Sequence, residues 1–371
     1  MRATVERSHL LKSLGHVHRV VERRNTIPIL SNVLMRGEGG QLMLKATDLD
    51  LEVTEAVPAE IGQGGATTVP AHILYDIVRK LPDGAEVSLD TGEGAQLTVK
   101  AGRSRFTLQI LPESDFPDLT TGEFQTRFTV PANVIRKLIE RTQFAISTEE
   151  TRYYLNGIYL HIVTVAGKPM LRAVATDGHR LAQAQVEAPE GAEKMAGIIL
   201  PRKAVGEIQK LVEDPDAPVT VEVSDTKIRF TIGAVVLTSK LIDGTFPDYA
   251  RVIPQGNDKV LKVDRGEFAG AVDRVSTISS ERGRAVKLAL SDGRMVLSVN
   301  NPDSGSATEE IGVDYPADAI EIGFNAKYLL DITAQLEPGT AEFRFADPGS
   351  PTLIQDAETP NALYVLMPMR V

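Results

Sequence analysis

Three stretches of this chain repeat one another at a nearly constant spacing, and no other feature constrains the fold as strongly. Ala46-Thr47-Asp48-Leu49 returns as Ala175-Thr176-Asp177-Gly178 and, more faintly, as Val299-Asn300-Asn301-Pro302. Val69-Pro70 returns as Leu200-Pro201 and then as Phe324-Asn325. Leu111 through Phe116-Pro117-Asp118-Leu119 returns as Leu241 through Phe246-Pro247-Asp248-Tyr249, and Leu366-Met367-Pro368-Met369 stands at the matching point of the third copy. The offsets are 129, 131 and 130 residues between the first two copies, then 124, 124 and 125 to the third. Such a period predicts three similar domains, 1–122, 126–254 and 259–371, joined near Thr120–Gln125 and Pro254–Lys259. Three like units in a row suggest a ring or an array, whose function comes from shape more than from one cleft.

Each copy opens on a short strand and a helix. Leu10, Leu11, Leu14, Val17 and Val21 recur at helical spacing in the first; Val134, Ile135, Leu138 and Ile139 follow Pro131 in the second. Pro131 suits the first helical position. In the third, Asp264 is a candidate N-cap before Phe268, Val272, Val275 and Ile278. A second helix is predicted at Ala71–Leu81, Arg202–Val212 and Ala326–Leu336, each stopped by a Pro, Gly or Asp cluster. Between them lie short alternating runs such as Gln41–Ala46, Gly157–Val165 and Val235–Leu241. The expected unit is α+β: two helices and roughly eight strands in antiparallel sheets.

Composition removes several function classes. The chain has no cysteine, which excludes disulfides, thiolate nucleophiles and Cys-ligated metal, and fits a reducing cytoplasm. No run approaches the ~18 apolar residues of a membrane span, and Met1–Glu6 lacks an apolar signal core. A net charge of −10 argues at first against nucleic acid, but binding depends on where the cations sit.

Those cations are patterned. Lys12, His16, Arg19 and Arg23 form one stripe on the first helix, opposite the leucines. Lys137 and Arg141, with Arg136 beside them, repeat it in the second copy; Arg79-Lys80, and then Lys203 with Lys210, mark the second helices. The third copy is poorer, with Arg265, Arg274 and Lys327. A charged stripe on one helix is ordinarily a solvated face. Its recurrence on equivalent helices of an acidic chain raises the alternative of a nucleic-acid-facing surface.

Candidate chemistry is thin. Thr176-Asp177-Gly178-His179-Arg180 offers an Asp/His pair without a Ser or Cys nucleophile motif, and Asp-Gly more simply marks a turn. His16 and His18 fall on different helix faces, which disfavours chelation of a metal. No phosphate-cradling glycine motif occurs, and neither a catalytic residue, a metal nor a cofactor is expected. The segment Tyr364–Val371 is apolar almost throughout. It reads as a final strand on one face. On the other, two methionines flanking a proline would make a deformable docking wall.

Taken together, several motifs carry a specific resemblance: Thr26-Ile27-Pro28-Ile29-Leu30, Gly102-Arg103-Ser104-Arg105-Phe106, Arg152–Gly157, Ala175–Leu181, Phe246-Pro247-Asp248-Tyr249 and Met367-Pro368-Met369-Arg370. In this order they resemble the bacterial sliding clamp, the β subunit of DNA polymerase III, over essentially the whole chain. The resemblance implies a head-to-tail homodimer in which six domains ring duplex DNA, sheets outside and twelve helices inside. Helices ~10 Å wide packed ~9 Å apart would then enclose a hole of roughly 25 Å, room for a duplex and a layer of water. It implies no enzyme activity but a processivity factor that slides without reading sequence. Its implied partners are the DNA polymerase III catalytic subunit, other polymerases, repair proteins and a clamp loader, with no membrane.

Carried over by position, the resemblance implies a partner-peptide pocket lined by Leu155, Thr176, Gly178, His179, Arg180, Leu181, Pro247, Arg251 and Val252, with Asn325, Tyr328, Val365, Leu366, Met367, Pro368, Met369 and Arg370. Arg24, Tyr153 and Tyr154 would touch DNA beside the stripes. Arg103, Arg105, Phe106 and Leu108 would meet Ile278, Asp303, Glu309 and Glu310 of the other chain. Three features depart from the pattern: Gly283 where some relatives carry Phe, the acidic pair Glu149-Glu150 before the tyrosines, and Thr277 in place of a larger aliphatic. The rival reading is an enzyme on repeated α+β domains with Asp177 and His179 as acid and base.

Overall fold

The computed structural model describes all 371 residues except 93, 120–121, 280–284 and 359. The same element order runs through it three times: strand, helix, four strands, helix, three strands, with one extra short strand in the first copy. In the first copy β1 (Arg2–Glu6) and α1 (Arg7–Val17) precede β2 (Asn32–Glu38), β3 (Gln41–Thr47), β4 (Leu51–Pro58), β5 (Glu60–Gln63) and β6 (Gly65–Pro70). Then come α2 (Ala71–Lys80), β7 (Glu86–Asp90), β8 (Gln96–Ala101) and β9 (Ser104–Gln109). The second copy is β10 (Thr126–Pro131), α3 (Ala132–Glu140), β11 (Gly157–Val165), β12 (Lys168–Thr176), β13 (Arg180–Glu187), β14 (Ile198–Pro201), α4 (Arg202–Leu211), β15 (Pro218–Val223), β16 (Lys227–Ile232) and β17 (Val235–Lys240). The third is β18 (Lys259–Asp264), α5 (Arg265–Ser276), β19 (Ala285–Ser291), β20 (Arg294–Asn301), β21 (Gly305–Gly312), β22 (Ile320–Asn325), α6 (Ala326–Thr333), β23 (Thr340–Phe345), β24 (Thr352–Asp356) and β25 (Ala362–Leu366).

Two sequence expectations shift locally. Pro131 ends β10 instead of starting α3, where Ala132 takes the first helical position. The second helices are slightly shorter than the periodicity predicted. Asp264 does cap α5, its carboxylate accepting from Glu267 N at 2.8 Å. Arg136 and Arg265 are not face cations. Arg136 donates to Val212 O and Glu213 O, and Arg265 donates to Leu336 O at 2.9 Å. Arg7 does the same for Val78 O and Arg79 O. Each copy thus places an arginine of its first helix on the orphan carbonyls at the end of its second.

The three copies fold into two compact units because the second copy is divided between them. One unit comprises Met1–Arg136, Pro189–Met195 and Lys203–Leu241; the other comprises Lys137–Ala188, Ala196–Arg202 and Ile242–Val371. The first contains an eight-stranded antiparallel sheet, β10-β15-β16-β17-β4-β3-β2-β6, in which β17 pairs with β4. The second contains its counterpart, β14-β11-β12-β13-β25-β24-β23-β18, joined where β13 pairs with β25. What remains is a five-stranded sheet, β5-β1-β7-β8-β9, in the first unit, and a four-stranded sheet, β21-β20-β19-β22, in the second.

Helices cover these sheets with apolar stripes. Leu10, Leu14 and Val17 of α1 are buried, as are Leu74 and Val78 of α2, which packs beside it. In the other unit Phe268, Val272 and Val275 of α5 pack with Leu329 and Ile332 of α6; the Phe268 ring lies 5.0 Å from Phe343. Each such side chain contributes about 2 kcal/mol of burial. No helix among the described residues is long and apolar enough to cross a membrane.

Candidate functional site

The implied pocket residues all belong to the second unit. Its turn Thr176–Arg180 is held from within: Thr176 Oγ1 donates to Arg180 O at 2.7 Å, and Asp177 Oδ1 accepts from His179 N and Arg180 N. Gly178 sits at φ +88° in the left-handed region, where glycine is unstrained. A Cβ there would also lie 2.7 Å from Arg152 Nη1. Beneath the turn, Leu155, Leu181 and Val365 share one buried cluster with Val174, Ile199, Phe246 and Tyr249. Leu366 is wholly buried in the core. The same unit also carries exposed apolar side chains: Val252 (53% exposed), Met367 (41%) and Met369 (38%). Met367 N donates to His179 O at 3.0 Å, which holds the tail against the turn. Pro247 and Arg251 are exposed near Val252 in sequence, and Arg251 pairs with Asp248 at 2.8 Å.

Arg180 is buried, and its guanidinium lies among other residues of the implied pocket. Its guanidinium meets Asp331 at 2.6 Å, Asp177 at 3.1 Å and Phe144 O at 2.7 Å, and lies over the Tyr328 ring at 4.1 Å. With three of its five N–H donors engaged, it ties the turn to Asp331 of α6 and to Phe144 O. Asn325 caps α6 by accepting from Tyr328 N. Asp177 is occupied by Arg180 and by backbone amides, while His179 is exposed, and the two side chains share no hydrogen bond among the described residues. That geometry gives the acid/base reading no support. Gly283, the first of the departures, lies outside the described residues.

The residue whose contacts sequence reasoning missed is Tyr249, read there as a repeat landmark and as part of a family motif. Its hydroxyl accepts from Arg172 Nη1 at 3.0 Å and lies 2.8 Å from His161 Nε2, while Arg172 donates twice to Gln185 Oε1. Tyr159 stacks on His161 at 4.1 Å and on Phe246 at 4.9 Å. Pairing of β11, β12 and β13 aligns Tyr159, His161, Arg172 and Gln185, and the segment after β17 brings Phe246 and Tyr249 onto them, so no local signal marked the group. Burial pushes His161 down to about 4. Its unfolded form binds a proton near 6.5, so between about 4 and 6.5 the unfolded chain carries more protons and stability falls as pH falls. Over that window this one group removes up to about 3 kcal/mol. The urea midpoint of the wild type is therefore expected to drop more steeply from pH 7 to 4.5 than that of His161→Gln. Parallel curves would refute the assignment.

The first helix does not carry the expected stripe, because His16 is buried against Glu55 and Arg19 and Arg23 lie beyond its last residue, Val17; the cations are also largely paired. In the first unit Lys12 pairs with Glu213 at 3.5 Å, Arg19 with buried Glu207 at 3.2 Å, and Lys210 with Glu207 at 2.8 Å. Lys203 meets Glu22 and Asp48, and Arg79 meets Asp76. In the second unit Arg141 pairs with Glu337 at 2.9 Å. Arg24, Lys80 and Lys137 are exposed and make no ion pair among the described residues. Tyr153 is exposed and packs edge-on to Tyr154; Glu149 of the acidic pair is engaged by Arg152 at 3.3 Å.

Arg105 and Phe106 lie exposed on β9, an edge of the five-stranded sheet, with Leu108 half-buried; Arg103 is exposed in the turn before it. Glu309 and Glu310 lie on β21, an edge of the four-stranded sheet; Asp303 is in the turn before it. Glu309 is held by Arg274, whose hydrogen bonds keep its carboxyl below the usual range, and Asn301 Nδ2 donates to Ile278 O.

Comparison with known proteins decides the relationship. Residues 1–120, 129–248 and 250–370 match the N-terminal, central and C-terminal domains of the DNA polymerase III beta subunit. The chain belongs to the DNA polymerase III beta subunit family. A beta sliding clamp of Caulobacter vibrioides is 55% identical over 372 residues, covering all of both chains. Among solved members of the family, the sliding clamp of Bartonella birtlesii bound to griselimycin is 58% identical with a TM-score of 0.97, and covers both chains completely. The Caulobacter crescentus clamp, solved with polyethylene glycol, is 55% identical with a TM-score of 0.98, covering 100% of this chain and 99% of that one. The family's three tandem domains, with helices and antiparallel sheets in each, are those described above.

Proposed function

We propose that this chain is a DNA polymerase processivity factor: a head-to-tail homodimer that encircles duplex DNA, slides on it and tethers partners by their apolar peptides. The observation that carries the reading is a pair of strand joints. β17 meets β4 in the register Val235↔Glu55, and β13 meets β25 in the register Ala184↔Ala362. Superposing the copies through their hairpins makes these two registers equivalent. The strand equivalent to β17 and β25 in the first copy is β9, and the one equivalent to β4 and β13 in the third is β21. Both are unpaired edges, which sheet proteins seldom leave open. Applying the same register between two chains sets Ser104 opposite Glu309, Phe106 opposite Ala307 and Leu108 opposite Gly305. Arg103 then faces Glu310. A third joint of this kind closes the array.

The hold on DNA is topological, and Arg24, Lys80 and Lys137 supply a weak attraction that sees every phosphate alike. The paired cations Lys12, Arg19, Arg79, Arg141, Lys203 and Lys210 soften it further, which suits sliding. Polymerases and repair proteins dock on the floor of Leu155, Leu181 and Val365 beside Val252, Met367 and Met369. Domains at 1–122, 126–254 and 259–371, a cytoplasmic place and no chemistry of its own complete the reading, with opening left to a separate loader. After loading, the protein is expected to remain on nicked circular DNA and run off the same DNA once linearised. Equal loss from both would discredit it.

A further inference from the structure

In every copy the chain leaving the last strand returns to the strand that feeds the second helix. Leu111 N donates to Thr68 O at 3.3 Å, Ile242 N to Ile199 O at 3.0 Å and Met369 N to Gly323 O at 2.7 Å. The second tether anchors the segment that leads to Phe246, Pro247 and Tyr249. The third anchors Met367–Met369. The tail is also pinned at Met367 N by His179 O, and Pro368 between the two donors has no N–H to satisfy. Both segments that build the groove therefore hang from one recurring bond.

The acceptor residue is Thr68, then Ile199, then glycine. Gly323 lies outside the left-handed region, so its backbone does not require glycine. Space does. A Cβ at 323 would fall 2.3 Å from Val371 Cγ1, 2.9 Å from Val371 Cγ2 and 2.8 Å from Met369 O. Such separations are far inside van der Waals contact, so the tail would have to lift from β22.

We propose that Gly323 is a positioning residue for peptide binding: its bare Cα lets Met369 and Val371 lie against β22, which sets where the Met367 and Met369 side chains stand. This rests on the groove reading above. The test is Gly323→Ala in the full-length protein, with a fluorescein-labelled peptide bearing leucine and phenylalanine anchors as probe. Affinity is expected to fall about tenfold, and exchange of the Met369 amide to speed up, with the dimer fraction and melting midpoint unchanged. Adding Val371→Ala should restore part of the affinity. Wild-type affinity in Gly323→Ala overturns the inference, and so does an unchanged Met369 exchange rate. Should the alanine variant misfold, Met369→Pro deletes the donor and leaves β22 intact; undiminished binding there overturns it equally. If the unaltered protein does not bind the probe, the groove reading fails instead.

Discussion

Reversing Arg103 and Arg105 to glutamate is expected to turn the dimer into a monomer. In the register proposed from the two internal joints, Arg103 stands directly opposite Glu310. Arg105, opposite Thr308, has Glu310 as its diagonal neighbour on the same face. Directly opposed residues of an antiparallel pair approach to about 5 Å, close enough for charge to select the partner. An exposed pair contributes only about 0.5–1 kcal/mol, yet reversal replaces attraction with repulsion at both positions. A swing of about 3 kcal/mol weakens association by roughly a hundredfold. Backbone pairing and the Phe106 contact are the same in both proteins and cancel in the comparison, so the charge term sets the difference. Sedimentation under dilution measures the effect directly. Retention on circular DNA should be lost with it, and Glu310→Arg in the same chain should recover part of the dimer. A dimer of unaltered strength would show that β9 and β21 do not meet in this register.

Deleting Met367–Val371 is expected to abolish peptide binding and leave the dimer intact. The deletion begins after Leu366, the last residue of β25, so the pairing of Arg180 with Leu366 and of Ala184 with Ala362 survives. The dimer edges are elsewhere, on β9 and β21. What disappears is the exposed methionine wall and the Met367 N bond to His179 O. Two or three apolar anchors at ~2 kcal/mol each account for micromolar, exchangeable binding. Removing the wall that receives them should cost at least about a hundredfold in affinity, read by fluorescence anisotropy. Binding at full strength after the deletion would eliminate the tail from the site.

The repeat, both helices of each copy and most alternating strands were legible in the linear chain. The landmarks fall where the pattern put them: Asp48 and Asp177 follow β3 and β12, and Ala71, Arg202 and Ala326 each open a second helix. Apolar periodicity and turn residues act over a few positions, so they survive reading in one dimension. The site was partly legible. Leu155, Leu181 and Val365 do share one buried cluster, but Phe246, Tyr249 and Val174 join it only when distant segments pack together.

Length, period and residue chemistry thus dictated three α+β copies, a Cys-free chain and an apolar tail. Three-dimensional packing alone decided that the second copy is shared between two units, since antiparallel pairing such as β17 with β4 joins residues nearly two hundred positions apart. It also decided the state of the charges. Arg19 meets Glu207 and Arg141 meets Glu337 across long stretches of sequence, and Arg180 is enclosed by Asp177, Asp331 and Phe144. A side chain's charge is local, but whether it is free depends on partners that only folding brings near.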